Sequence, residues 1–180
     1  MMSAADLTKQ AIVASTKELV NEKGFEKISV IEIAKRCGVN RNTFYYYFKD
    51  KYEVVEWIFN NEILPVIRPF EENKNLAESV TALCNHMKQE KSFYTKALAS
   101  NAHGSLRHLL VEYYLKYLMD FAADQYVQLG IEGKDREIIA RFYSHGTIGM
   151  ICDWAEGGMK RDAKAVTNMI LLSAKERFYT

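Results

Sequence analysis

Between Ser29 and Lys51 the chain reads SVIEIAKRCGVNRNTFYYYFKDK, and its polar side chains suit contacts with phosphates and base edges better than bond-making chemistry. Asn40 and Asn42 carry amides, Arg41 a guanidinium, Ser29 and Thr43 hydroxyls, Tyr45, Tyr46 and Tyr47 phenols, and Lys51 an ammonium. Amides and guanidinium groups match the donor and acceptor edges of bases in a major groove, while hydroxyls and ammonium groups suit phosphate oxygens. Ser29, Asn40, Arg41, Asn42, Thr43, Tyr45, Tyr46, Tyr47 and Lys51 are therefore candidate DNA contacts. Catalytic or metal chemistry has no comparable grouping. His86, His103, His108 and His145 are scattered, and no HExxH, GxSxG, P-loop or GxGxxG pattern occurs. His103 and His108 lie five residues apart across Gly104, an awkward spacing for two ligands on one helical face. The expectation is a protein without catalytic residues, metal or cofactor.

Helix caps say how these residues are presented. Ser29 followed by Glu32 is a capping box, with Ile28 and Ile33 as its hydrophobic staple. Asn40 is a second N-cap, stapled by Val39 and Phe44, just after Gly38 releases the preceding helix. Asp50 with Glu53 repeats the box and launches a third segment containing Val54, Val55, Ile58 and Phe59. Two helices around a glycine-containing turn would bury Ile33, Ala34, Val39, Phe44 and Phe48. The run FYYYF also has strand propensity. A strand, however, would bury alternate residues and leave the capping Asn40 unexplained. In a helix, Phe44 and Phe48 share the inner face, while Tyr45 and Tyr47 fall on the surface.

These residues resemble the TetR family of bacterial transcription regulators. The resemblance covers roughly residues 7 to 59 and rests on Ile12, Ala14, Gly24-Phe25, Ile33-Ala34, Gly38-Val39, Thr43-Phe44-Tyr45, Tyr47-Phe48 and Lys51. Position 42 departs from the pattern, since the family usually has Gly, Ala or Pro where this chain has Asn42. An amide there could touch a base edge, so operator sequence cannot be carried over from relatives. The resemblance implies a sequence-specific DNA-binding regulator, most simply a repressor that binds a pseudo-palindromic operator as a homodimer and is released by an effector. The segment SHGTIGMICDWAEGG further resembles the subgroup that includes dihydroxyacetone kinase regulators, some of which answer to a protein partner. A regulator or activator under such control, or a helical adaptor without DNA binding, is the alternative.

Charge agrees with a DNA-facing start. Residues 1 to 51 carry a balance of +3 within a whole chain of +1. Some of that charge, Lys9 and Lys17 for example, reads as a solvated helix face. Nothing in the 180 residues reaches the roughly 18 apolar positions of a membrane span, and MMSAADLTKQ does not read as a secretory leader, so a cytoplasmic protein is expected. Cys37, Cys84 and Cys152 are odd in number and widely spaced, which argues against disulfides or zinc.

The architecture expected is all-α, with about nine helices: a helix-turn-helix domain over residues 1–50 and a larger helical bundle over 51–180. Pro65 and Pro69 should end or kink the helix launched at Asp50 near Leu64. Beyond them apolar spacing stays helical, including a long stretch from Ser105 to Leu129 and two last helices, about 135–156 and 162–178. On these last two, Phe142, His145, Gly146, Gly149, Val166, Met169, Ile170 and Ser173 form candidate interface stripes. The glycines suggest a close backbone approach, and the family resemblance implies a four-helix dimer bundle. Two recognition helices about 34–36 Å apart, or a multiple, would then meet successive major-groove faces. Phe93, Tyr94, Tyr113, Tyr117, Phe121, Phe142 and Trp154 are candidates for lining an effector pocket, with ordinary core packing the alternative for each.

Overall fold

The computed structural model describes residues 3–175, which form ten helices and, among the described residues, no strand. The first is α1 (Ala4–Lys23), opened by a capping box between Ser3 and Asp6 and closed at Gly24, whose φ of 82° favours a residue without a Cβ. A single 3-10 turn, Phe25–Lys27, leads to α2 (Val30–Arg36) and α3 (Arg41–Tyr47). The Ser29–Glu32 box and the Asn40 cap form as expected. At the next cap, Asp50 accepts from the N–H groups of Tyr52 and Glu53, while the Glu53 carboxylate reaches the Lys49 N–H instead of the cap residue's own.

The helix launched there, α4, does not end at the prolines. It runs through Lys51–Ile58, a π turn Phe59–Ile63 and Leu64–Glu72. In the π turn the Leu64 N–H bonds the Phe59 carbonyl, five residues back. The hydrogen-bond register has thus already shifted when Pro65, which has no N–H to donate, enters the next turn. Along its length α4 buries Val54, Val55, Ile58, Ile63 and Ile67. Each contributes about 1.5–3 kcal/mol of burial, so the helix is anchored at both ends. One apolar cluster runs from Ile12 in α1 to Ile170 near the chain's end, with α4 passing through it.

The body follows as α5 (Leu76–Gln89), α6 (Lys91–Leu98), α7 (Leu106–Phe121), α8 (Ala123–Gln128), α9 (Lys134–Glu156) and α10 (Ala163–Lys175). The stretch expected as one helix from Ser105 to Leu129 is two, because Ala122 leaves helical geometry at ψ 11°. That break accounts for ten helices where about nine were expected. The expected end of the last helix, at residue 178, lies outside the described residues. No helix of the described residues is long and apolar enough to cross a membrane.

Candidate nucleic-acid interface

The head is built so that one edge of α3 faces outward. Phe44 is 0% exposed and Phe48 3%, and their rings pack 6.0 Å apart beneath the helix. On the other side Tyr46 is 81% exposed and Tyr45 43%, and Arg41 and Asn42 are also exposed. Arg41 lies along α3, its Nη2 donating to the Tyr45 hydroxyl at 3.0 Å and its guanidinium 5.2 Å from the ring centre. This holds a cation and a phenol together on the surface. Tyr46 stands edge-on to Tyr47 at 4.9 Å. Tyr47, expected on the surface, is half-buried and packs against the core, so it supports Tyr46 as much as it faces outward.

Three of the candidate contacts have local duties. The Asn40 side-chain oxygen accepts from both the N–H and the hydroxyl of Thr43, at 2.8 and 3.1 Å, fixing the first turn of α3. The Ser29 hydroxyl donates to Glu32 at 2.8 Å. Glu32 also takes Lys23, and the hydrogen bond from Lys23, then those from Ser29, hold its carboxyl down at about 2. This part of the cap therefore stays ionised at any physiological pH.

Lys51 requires a correction. Its ammonium, assigned from sequence to a phosphate, donates to the carbonyls of Phe25, Glu26 and Ile28 at 3.0, 3.2 and 3.2 Å, and lies 4.8 Å from the centre of the Phe25 ring. All three N–H bonds of the group are engaged. The residue closes the turn between α1 and α2 onto the start of α4. Lys17 also differs from expectation: it is not on a solvated face but bridges Glu62 and Glu90, its side chain only 14% exposed. Arg36 is tied to Glu22 and Glu18 of α1, and first Glu22, then Glu18, raises its guanidinium pKa. Lys27, Lys35 and Lys49 remain as exposed cations of the head alongside Arg41. Lys49, directly after α3, has no spacing signal that separates it from a solubilising lysine.

In the body, the residues expected to line a pocket do not come together. Phe93 and Tyr94 are 1% and 0% exposed and Trp154 8%, all within the main core. Packing by α1 and α9 over α6 closes off Phe93 and Tyr94, while Trp154 borders a separate cleft with Asp153, Arg161 and Met169. Tyr113 and Tyr117 instead border a shallow groove with Arg68 and Glu71, where the Tyr113 hydroxyl donates to Glu71 at 2.5 Å. Only Phe121 and Phe142 line the apolar cavity, of about 290 Å³, which lies among α7, α8, α9 and α10 with Leu118, Tyr126, Met150 and Ile170. Leu118 and Met150 carried no signal in the sequence beyond helical periodicity.

Of the expected interface residues, Met169 is 44% exposed, and His145, Gly146 and Ser173 are exposed. Val166 and Ile170 are instead buried in the subunit's own core, at 4% and 6%, where α10 packs on α5 and α9. A Cβ added at Gly146 or Gly149 would meet nothing within 4 Å, so among the described residues no element of the same chain approaches these glycines closely. Burial pushes the Cys84 thiol up to about 12 and Cys152 to about 11, which keeps both protonated and poorly nucleophilic. No group of three or more metal-ligating side chains occurs among the described residues.

A capped recognition helix with an exposed amide, guanidinium and phenols, carried on an all-helical body through one long helix, defines a DNA-binding transcription regulator. The comparisons agree. The model described as "Bacterial regulatory proteins, tetR family" matches residues 12–58, and that described as "Transcriptional regulator C-terminal region" matches residues 74–175. The chain belongs to the TetR family of transcription regulators. It is 26% identical over 95 residues to the HTH-type dhaKLM operon transcriptional activator DhaS of Lactococcus lactis, a match spanning 53% of this chain and only about half (51%) of that protein. It is 27% identical to the fatty acid metabolism regulator protein of Bacillus subtilis, covering 89% of this chain and 90% of that one. The solved structure of FadR from Bacillus subtilis in complex with stearoyl-CoA has the same fold, with a TM-score of 0.63 at 22% identity over 90% of this chain and 95% of that chain.

Proposed function

We propose that this regulator binds a pseudo-palindromic operator as a homodimer, inserting the outward edge of α3 into the major groove, and that it represses until an effector engages the body. The observation that carries the reading is the two-sidedness of α3, with Phe44 and Phe48 sealed below while Arg41, Asn42, Tyr45 and Tyr46 stand exposed. In this reading Asn42 and Arg41 read base edges, and Tyr45, Tyr46 and Lys49 contact phosphates. Gel shifts on genomic fragments at two salt concentrations test it. Phosphate contacts make affinity fall steeply between about 50 and 200 mM salt, and a protein that shifts no fragment at either concentration refutes the proposal.

Dimerisation through α9 and α10 is supported by an exposed stripe. Ile138 is 65% exposed and Phe142 58%, and His145 and Gly149 continue at one face's spacing on α9, with Met169 and Leu172 alongside on α10. Light scattering should give twice the chain's 20.8 kDa. The effector site we assign is the apolar cavity among α7, α8, α9 and α10, which suits a ligand of mostly hydrocarbon character. That choice is in keeping with the stearoyl-CoA named for the Bacillus subtilis FadR structure. A second reading, activation controlled by a protein partner, is favoured by the closed aromatic core around Phe93 and Tyr94 and by the likeness to DhaS, named as an activator. Titration with stearoyl-CoA separates the two, since release from DNA supports the first reading and no response favours the second.

A further inference from the structure

The head is carried by α4, and α4 contains one irregular stretch, the π turn Phe59–Ile63. A π turn is a local excess of backbone, and such turns are frequent where a helix serves function. A salt bridge ties this turn to the head. Lys17, from the middle of α1, donates to the Glu62 carboxylate on the π turn at 2.6 Å and to Glu90, between α5 and α6, at 2.9 Å. Its side chain is 14% exposed and that of Glu62 24%, and the ammonium lies 5.3 Å from the centre of the Phe93 ring. Screening by water and salt is therefore weaker here than for the exposed pairs elsewhere in the molecule.

Besides the packing of α1 on α6, two hydrogen bonds join α1 and the turn after it to α6 and the loop that follows: Lys96 donates to the Asn21 carbonyl, and the Ser100 hydroxyl donates to Glu26. Neither reaches α4. Lys17 thus ties the head, the deformable turn of the helix that carries it, and the body at one nitrogen atom. His86 sits beside this junction, its Nε2 2.8 Å from the Tyr94 hydroxyl.

We propose that Lys17, Glu62 and Glu90 are positioning residues that clamp the reading head at one angle to the body, and so set which half-site spacing the regulator accepts. The spacing part rests on the dimeric operator reading above, while the angle is a property of one chain. With the clamp closed, the π turn is pinned from outside and the head holds one orientation. With it open, the extra backbone of the turn lets α1 to α3 tilt as a unit. Lys17 touches no DNA in this scheme, so its removal changes spacing preference and leaves the base sequence read at each half-site unchanged.

The test measures both properties. Nitroxides at Asn42→Cys and Asn85→Cys, both exposed, report head-to-body distance by pulsed dipolar spectroscopy in a Cys37→Ser background, spin-diluted with unlabelled protein. The parent should give one narrow distribution, and Lys17→Met a broadened or shifted one at unchanged helicity. Lys27→Met, an exposed charge loss of equal size on the same head, should match the parent. On duplexes whose two selected half-sites are separated by spacers varied one base pair at a time, Lys17→Met should lower the preference for the best spacer by about fivefold or more, the low end of a typical coupling. Should Lys17→Met fail to fold with two carboxylates left unpaired, Glu62→Leu removes the same link with one carboxylate fewer. An unchanged distance distribution in the folded variant overturns the clamp whether or not DNA is bound. A changed distribution with an unchanged spacer preference overturns its role in specificity. A parent that shifts no duplex, with Lys17→Met still changing the distance distribution, overturns the operator reading alone.

Discussion

Replacing Lys51 with methionine separates a structural lysine from a DNA-contacting one. The substitution keeps most of the apolar stem and removes three N–H···O=C bonds, at 3.0, 3.2 and 3.2 Å, together with an ammonium 4.8 Å from the Phe25 ring centre. Hydrogen bonds from a charged donor are worth about 1.5–3 kcal/mol each when well sheltered. The group is only half-buried and its carbonyl partners can be partly rehydrated, so we take roughly a third to a half of that sum. Adding about 0.5 kcal/mol for the ring contact, the expected loss is about 2–5 kcal/mol. For a chain of this size each kcal/mol lowers Tm by about 2–4 °C, which predicts a fall of roughly 4–20 °C and a lower urea midpoint at unchanged m-value. In gel shifts below the melting range, the slope of log affinity against log salt should stay within about one unit of the parent, since no phosphate contact is lost. A variant with parental Tm and a salt slope reduced by one would refute this and return Lys51 to the phosphate backbone.

Other substitutions probe the remaining parts. Tyr46→Ala, at a position 81% exposed, should change stability by less than about 0.5 kcal/mol and weaken DNA binding. Phe44→Ala, at a position 0% exposed, should cost about 3–5 kcal/mol and abolish folding of the head. Burial, the largest cause, lowers the His86 pKa in the folded chain, with Lys17 adding to the effect against Glu62 and Glu90. The unfolded chain therefore binds the proton more readily, and this group's share of stability is complete above its ordinary value near 6.5 and is lost as pH falls below it. Lys17→Met should raise the imidazole midpoint read by NMR and Glu62→Gln should lower it, and movement in the opposite sense would contradict the junction. At Gly149 an added Cβ meets nothing within 4 Å among the described residues, so Gly149→Leu should leave the monomer folded, with helix stability raised by up to about 1 kcal/mol, while light scattering should show loss of the dimer. A stable dimer of that variant would move the interface elsewhere.

What could be read in the sequence was what depends on neighbours within one helical turn. The caps at Ser29, Asn40 and Asp50 are set by residues two or three positions away, and each starts a helix where its residue types say it should. Phe44 and Phe48, one turn apart, declare the inner face of α3 in the same way. The role of Lys51 was hidden because its carbonyl partners lie 23 to 26 residues back, and that of Lys17 because its carboxylates lie 45 and 73 residues on. Pro65 signalled a helix end, since the compensating π turn is chosen by the packing of Phe59 and Ile63 into the core and not by proline itself. The body's aromatic residues were equally ambiguous. Tyr94 and Phe142 have the same helical spacing signal, yet one is sealed and the other 58% exposed, a difference fixed only by which helices cover them.

The outward edge of α3 is the surface on which the whole account rests, and a photocross-linking amino acid at position 46 tests it most directly, with position 116 of α7, also exposed, as the comparison. Irradiated on a duplex selected from genomic fragments, the chain substituted at 46 should cross-link to DNA at bases within each half-site, and the chain substituted at 116 should not. Cross-linking from 116 with none from 46 would contradict the account.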